Sequence, residues 1–458
     1  MDQLMDQLNQ IVLSINSVLW GTYCLIPILV GAGIYFTFKL NFVQVRRFGR
    51  ALKYGFANAS LKGEKAGKEG MSSFQSLATA IAAQVGTGNL AGAATAIACG
   101  GPGAIFWMWI AAFFGMATIF AEAVLAQIYK TKDEIGQVVG GPAYYISQGL
   151  GSKKLAAFFS VTIILALGFI GNMVQANSIA DSFYTAFNIP PIFIGIVVAA
   201  FAFFIFIGGV TRLAYTTEKM VPFMALLYVI GSLIVIFMNI DQFIPAMKMI
   251  FVGAFDPSAV AGGVFGATIK EAMRYGVARG LFSNEAGMGS TPHAHAIARV
   301  KHPAQQGFVA ILGVFFDTFI VLNMTALVII MTGAFGTDPN AIPEGIALTQ
   351  KAFSLAFGSF GGIFVAICLF FFAGSTILGW SFFGEQNIKY LFGIKAVRLY
   401  RLTVILFLLL GSCLKVNLVW NLADMFNGIM VLPNIIALFA LGKVVSKALD
   451  EYHDQYMK

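Results

Sequence analysis

Charge is what this sequence is short of. Asp, Glu, Lys and Arg make up 11% of its 458 residues, against roughly 25% in an ordinary soluble domain. With 58% hydrophobic residues and a mean hydropathy of +0.81, so few charges would not keep a folded surface in water, which rules against a soluble globular protein. Cysteine is scarce as well. Cys24, Cys99, Cys368 and Cys413 stand apart, none at CxxC spacing and all in or beside apolar runs. They read as small buried apolar residues, and they imply neither a disulfide framework nor a metal site. Four histidines make no metal centre either, because His293 and His295 are two apart and face different ways on one helix. The stretch Met1–Gln10 lacks a basic segment and a small-residue cleavage site. No signal peptide is expected there, and the first apolar run is expected to be a retained helix.

What is abundant points to the bilayer. Forty-five Phe and 49 Gly suit helices that face lipid and pack closely on each other. A hydrocarbon core of about 30 Å takes roughly 20 helical residues. Apolar runs of that length are expected near 18–38, 72–98, 103–129, 155–186, 191–210, 218–239, 262–298, 304–332, 359–388, 396–413 and 415–441, eleven in all. Only Lys415 and Asn417 separate the last two. The basic residues collect in every second connection. Lys39, Arg46, Arg47, Arg50, Lys53, Lys62, Lys65 and Lys68 follow the first span, and Lys130, Lys132, Lys153 and Lys154 follow the third. Arg212 and Lys219, then Arg299 and Lys301, then Lys389, Lys395, Arg398 and Arg401 continue the pattern to a basic tail with Lys443, Lys447 and Lys458. The intervening connections hold acids and turn formers, as in Gly336–Asn340. The positive-inside rule makes the basic side cytoplasmic, the N-terminus external and the C-terminus internal. The net charge of +8 then needs no nucleic acid, whose binding would require a contiguous basic stripe.

Two of the spans are interrupted. The second runs into Gly86-Thr87-Gly88-Asn89 and resumes; the seventh runs into Ser283-Asn284-Glu285-Ala286-Gly287-Met288-Gly289-Ser290. Each glycine weakens a helix by roughly 1 kcal/mol relative to alanine. Broken backbone survives at membrane depth only inside protein or against a wet cavity, where half-helix N-termini offer N–H groups to an anion and freed carbonyls offer oxygen to a cation. A lone Gly-x-Gly also serves close helix packing. Here the breaks fall in the first and sixth helices of a ten-helix core counted from the second span, the corresponding positions of a five-plus-five inverted repeat. The expected units are residues 1–71 (first helix and basic loop), 72–239 and 240–441 (the two five-helix repeats), and 442–458 (a tail).

At these residues the sequence resembles the alanine or glycine:cation symporter family. The resemblance is carried by Val85–Asn89, by Gly100-Gly101-Pro102-Gly103-Ala104-Ile105-Phe106-Trp107-Met108-Trp109, by Gly171-Asn172-Met173-Val174-Gln175-Ala176-Asn177, and by the long run from Ser283 to His295. It extends from about residue 20 to about residue 440. It implies an all-α membrane protein of the LeuT-type fold with one extra N-terminal helix, and sodium-coupled uptake of alanine or glycine across a cytoplasmic membrane.

Site residues follow as expectations. The substrate carboxylate is expected at the backbone N–H groups of Thr87 and Gly88. Gln175 donates to the same carboxylate or to a neighbouring helix, with Asn177 a lesser candidate. The ammonium is expected at carbonyls and at the Ser283 or Asn284 side chains. Of the bulky residues Phe169, Phe282, Met288 and Trp380, only Phe282 and Trp380 are ranked as pocket walls. The resemblance further implies a sodium ion held by the carbonyls of Ala82, Val85 and Phe372 and the hydroxyls of Ser375 and Thr376, hydroxyls that otherwise bond back to their own helix. Asn89 matches an asparagine that binds a second sodium in some relatives.

Among intramembrane charges, Glu122, Glu285, Asp317 and Asp424 fall within spans, and Lys270, Arg274 and Arg279 lie in the outer half of the seventh. Asp424 is expected to pair with Arg274 or Arg279, as an outer gate or as a static buried pair. Glu285 is expected to satisfy N–H groups freed by the second break. Proton coupling through Glu285, Asp317 or Glu122 is the alternative to sodium. For an enzyme, which needs a nucleophile with a base or metal ligands at one depth, His293 and His295 near Asp317 come nearest, and their expected place at the cytoplasmic end is against it; a channel would need repeated pore-lining rings, which the sequence does not show.

Overall fold

With no water in the bilayer core to satisfy backbone groups, an apolar chain of this length folds as helices that bond internally. The computed structural model describes residues 2–21, 23–56, 70–256, 268–336, 341–343, 345–414 and 416–456 and is helical almost throughout. Lys62, Lys65, Lys68, residues 262–267 and 337–340, Lys415, the side chain of Asn417, and Lys458 lie outside what is described.

In chain order, α1 (Asp2–Leu19), α2 (Leu25–Lys39), α3 (Val43–Arg46) and α4 (Phe48–Phe56) precede the first broken segment, α5 (Ser73–Gln84) and α6 (Ala93–Gly100). Then come α7 (Gly103–Ile128), a two-stranded hairpin of β1 (Thr131–Lys132) and β2 (Val138–Val139), α8 (Pro142–Gly149), α9 (Lys153–Ile163), α10 (Asn172–Phe187), α11 (Pro191–Ile207), α12 (Gly209–Met238) and α13 (Phe243–Gly253). The second broken segment is α14 (Ile269–Asn284) and α15 (Pro292–Ala296). It is followed by α16 (Pro303–Val314), α17 (Asn323–Thr332), α18 (Ile346–Phe357), α19 (Ser359–Phe392), α20 (Val397–Cys413) and α21 (Val416–Tyr456).

Counting α9 with α10 and α16 with α17 across their π-helical joints, seven of the described helical stretches are long and apolar enough to cross a membrane. The shorter apolar α2 and α11 and the two broken segments occupy the positions of the other four expected spans. The run expected at 18–38 is not one helix. Pro27 has no N–H and its ring collides with the carbonyl four residues back, so α2 starts afresh at Leu25 and α1 stands as a separate helix. That helix lies along α21, where Asn16 Nδ2 donates to the Asn421 carbonyl at 2.8 Å. Two short helices in connections, α13 and α18, lie between expected spans. Residues 442–456, set apart as a tail by their charge, continue α21 without a break.

Small residues let the helices around the breaks approach. A Cβ added at Gly379 of α19 would lie 2.8 Å from the Ala83 Cβ of α5, and one at Gly276 of α14 would lie 2.4 Å from the Ala104 carbonyl oxygen of α7. Contacts this close are how membrane helices associate without a hydrophobic driving force between them.

Candidate functional site

The first break begins where α5 ends. Val85 is extended (φ −80°, ψ 94°), and the chain re-enters helix through a π-helical turn over Gly88–Gly92. Two further π-helical stretches, Ile164–Gly171 and Phe315–Leu322, carry chain that meets this region, in keeping with the tendency of π-bulges to mark functional sites. The second break begins at Glu285, whose left-handed conformation (φ 59°) ends α14. A non-glycine residue there costs roughly 1–2 kcal/mol. Gly287 (φ 84°) and Gly289 (φ 79°) take the same left-handed region without that cost. The two breaks touch, since a Cβ on Gly88 would lie 2.9 Å from Ser283 Cα.

Beside the first break five oxygens converge. Thr376 Oγ1 lies 3.0 Å from the Ala82 carbonyl, 3.3 Å from that of Val85 and 3.1 Å from that of Phe372. Ser375 Oγ lies 3.1 Å from the Ala82 carbonyl and 2.8 Å from that of Phe372. All five residues are buried. Two neutral hydroxyls and three carbonyls, with no carboxylate among them, suit a monovalent hard cation better than a divalent one. Among the described residues no cluster of His, Cys, Asp or Glu has the makings of a transition-metal site.

Gly86 separates these oxygens from Gln175: a Cβ there would lie 2.3 Å from Thr376 Oγ1 and 3.0 Å from Gln175 Oε1. Gln175 Oε1 accepts from the Thr87 N–H at 3.2 Å, so the amide already occupies a donor of the broken end. Among the described residues the Thr87 hydroxyl, buried, has no partner. Asn89 Oδ1 accepts from the Gly86 N–H at 2.9 Å, and its Nδ2 donates to Asp317 Oδ1 at 2.7 Å. The Ser283 hydroxyl donates to the same Asp317 oxygen at 2.8 Å, and Thr318 Oγ1 donates to Oδ2 at 2.9 Å. Asp317, wholly buried, therefore ties both breaks together. Asn284 is turned to local work: its Oδ1 accepts from the Ala286 N–H at 3.1 Å and its Nδ2 donates to Thr318 Oγ1 at 3.2 Å.

The N–H groups freed by the second break go to a residue other than the one expected. Glu122 of α7 accepts from Gly287 N–H at 3.0 Å, Gly289 N–H at 2.9 Å and Asn434 Nδ2 at 2.7 Å. Glu285 instead accepts from the indole N–H of Trp380 and from Ser290 Oγ. The left-handed turn at Glu285 swings its side chain away from the N–H groups two and four residues on, and Glu122 fills the place from a neighbouring helix.

Aromatic rings roof this centre. Phe282 meets Trp380 edge-on at 5.8 Å between centroids and Trp420 at 5.1 Å, and the Arg279 guanidinium lies 5.1 Å over Trp420. Above them Arg279 grips Asp424 with both arms, at 2.7 and 2.6 Å. Of the two arginines expected at Asp424, Arg274 lies instead over the Tyr275 ring, 5.4 Å from its centroid. Asn177 caps the end of α20 through the carbonyls of Gly411 and Leu414, and Phe169 stacks on Phe407. At the other end of the breaks the closure is mostly backbone. Met71 N–H donates to Ile297 O and Arg299 N–H to Met71 O, both at 2.9 Å. Gln127 Nε2 and Lys130 Nζ also donate to the Ala298 carbonyl, at 2.9 and 3.0 Å. Sequence reasoning missed this latch, because backbone pairing leaves no side-chain signature.

The model of the sodium:alanine symporter family matches residues 5–458. The chain belongs to that family. It is a multi-pass membrane transporter and not an enzyme. A sodium/alanine symporter of Methanococcus maripaludis, AgcS, is 44% identical over 445 residues, 96% of each chain. Two Bacillus subtilis chains are similar over their length. GlnT, provisionally named a sodium/glutamine symporter, is 43% identical over 98% of this chain and 91% of its own. YrbD, provisionally named a sodium/proton-dependent alanine carrier, is 42% identical over 97% and 92%. Among solved structures, MhsT in complex with L-phenylalanine superposes with a TM-score of 0.55 at 13% identity, covering 84% of this chain and 99% of that one. A manganese transporter of Eremococcus coleocola gives 0.54 at 14%, covering 81% and 77%. These two likenesses bear on the fold alone, which is the LeuT type expected from the sequence.

Proposed function

We propose that this symporter carries a small neutral amino acid, alanine or glycine, into the cell together with sodium, by alternating access of one helix group against another. The observation that carries the reading is the meeting of five neutral oxygens from Ala82, Val85, Phe372, Ser375 and Thr376 directly beside the first break. An ion there touches the backbone that also offers Thr87 and Gly88 N–H groups to a carboxylate, so that sodium and substrate order the same few residues. Gln175 Oε1 accepts from the Thr87 N–H and would yield that donor to the carboxylate, leaving its own amide N–H free to donate to the same group. Ser283 and the carbonyls of the second break face the ammonium, and Phe282 and Trp380 limit the side chain that fits. Arg279 and Asp424 close the outer side. The N-terminus is external and the C-terminus cytoplasmic, by the distribution of basic residues.

A second reading is supported by Asp317. A buried carboxylate that accepts from Asn89 of one break and Ser283 of the other can carry a proton in place of, or beside, a second cation at Asn89. Uptake of labelled alanine into proteoliposomes, at fixed pH and membrane potential, separates the two. Sodium-gradient dependence supports the first; uptake driven by a pH gradient alone supports the second. No uptake of alanine, glycine or serine under either gradient overturns both.

A further inference from the structure

On the basic side of the bundle, away from the breaks, a crevice of about 620 Å³ opens between the α11–α12 turn, the last turns of α19 and the start of α20. One wall is apolar. Phe203 and Ile207 of α11 and Leu402 of α20, all among its lining, are 49%, 64% and 53% exposed, which is what a surface against acyl chains looks like. The other wall is cationic: Lys389, Arg398 and Arg401 line it against a single acid, Glu385. Arg401 Nε pairs with Glu385 at 2.8 Å and Lys389 Nζ with its other oxygen at 3.6 Å, the carboxylate being only 10% exposed. Asp133, from the hairpin, adds a contact to Lys389 at 3.7 Å. Arg398 has no ion pair among the described residues, and Arg212, nearby, is spent on the Phe204 carbonyl and ring.

We infer that this crevice binds the headgroup of an anionic phospholipid, with the phosphate at Arg398 and Arg401 and an acyl chain along Phe203, Ile207 and Leu402. Three cations face two acids, Glu385 on the lining and Asp133 beside it, an excess of one positive charge, so a headgroup with an ammonium of its own would restore that excess. A phosphodiester without one completes the balance. At the depth where apolar helix surface gives way to basic side chains, lipid phosphate is the anion present at high concentration, and basic pockets between helices on that side are where such headgroups lodge. The site sits on α19 at Glu385 and Lys389, about three to four turns beyond Ser375 and Thr376, so lipid there braces the helix that carries the proposed sodium hydroxyls.

The test uses the full chain in nanodiscs, with spin-labelled phosphatidylglycerol and spin-labelled phosphatidylcholine as the two probes, and the motionally restricted fraction of each as the readout. The wild type is expected to favour phosphatidylglycerol. Arg398→Gln is expected to cut that preference about fivefold, from roughly 1 kcal/mol per basic residue near an anionic surface, while Arg398→Lys keeps most of it. Arg398 is exposed and, among the described residues, makes no ion pair, so neither change breaks a described ion pair. Lys153→Gln, at an exposed position elsewhere on the same side, is expected to leave the preference intact. No preference in the wild type, an equal loss in Lys153→Gln, or a preference unaffected by Arg398→Gln overturns the assignment. So does abolition of the preference by inorganic phosphate alone.

Discussion

Replacing Asp424 by Asn tests the closure above the aromatic roof. The Arg279 and Asp424 side chains are 10% and 17% exposed, so the pair is shielded and bidentate at once, the geometry in which such pairs are strongest. At about 4 Å between charge centres and an effective dielectric near 20, the attraction is about 4 kcal/mol. Asparagine keeps the shape and one hydrogen bond from the still-charged guanidinium, worth about 2 kcal/mol, so the closed arrangement loses about 2 kcal/mol, or ~30-fold in its population relative to the open one. The Trp20 indole N–H donates to the Asp424 backbone carbonyl at 3.0 Å, and the Arg279–Trp420 contact is independent of the carboxylate; both survive the change. Two quantities should separate: initial alanine uptake in proteoliposomes, and alanine Kd by equilibrium binding to the same preparation. Uptake is expected to fall up to ~30-fold while Kd moves by less than about threefold, because the carboxylate touches no group assigned to the substrate. Asp424→Glu should recover part of the uptake. Equal losses in uptake and binding, or unchanged uptake, would refute a gating role and leave a static buried pair.

Ser375→Ala and Thr376→Ala each remove one hydroxyl from the five-oxygen cluster. Each is expected to raise the sodium concentration needed for half-maximal alanine binding about tenfold, from about 1.5 kcal/mol for a neutral dipole on a charge, and an unchanged sodium curve in the double variant would reject the cluster as the ion site. At Gly171 an added Cβ would lie 2.6 Å from Trp380 Cζ3. Gly171→Ala should push the indole into the pocket at a cost of about 1–3 kcal/mol, weakening alanine more than glycine in competition binding, and an unchanged alanine-to-glycine ratio would remove Trp380 from the wall. Glu122→Gln exchanges a carboxylate with three donors around it for an amide with one acceptor. It should destabilise the protein by about 3 kcal/mol, read as earlier thermal denaturation in detergent, and a melting curve equal to wild type would show that the second break holds without Glu122.

Much of this protein is set locally. Apolar length decides that the chain spans a membrane, because no other backbone arrangement satisfies itself in lipid. The alternation of basic connections is a one-dimensional pattern. The breaks at Gly86–Asn89 and Ser283–Ser290 announce themselves through glycines, since helix propensity is a local property. Even the grouping of Ser375 and Thr376 with Ala82 and Val85 was open to motif resemblance. What depends on which helices touch was not. Sequence spacing offered Arg274 and Arg279 equally to Asp424, and packing chose Arg279. Glu285 lies inside the second break and looked like the cap for its N–H groups. Yet a left-handed backbone turns it toward Trp380, and Glu122, more than 160 residues earlier, takes the cap from α7. The pairing of Met71 with Ile297 and Arg299 is made of backbone, whose donors and acceptors are the same at every residue. Asp317 joins both breaks only because three distant segments meet there. Local chemistry chose the elements and placed their interruptions; partners across hundreds of residues were decided by the packing of small residues, which no single helix encodes.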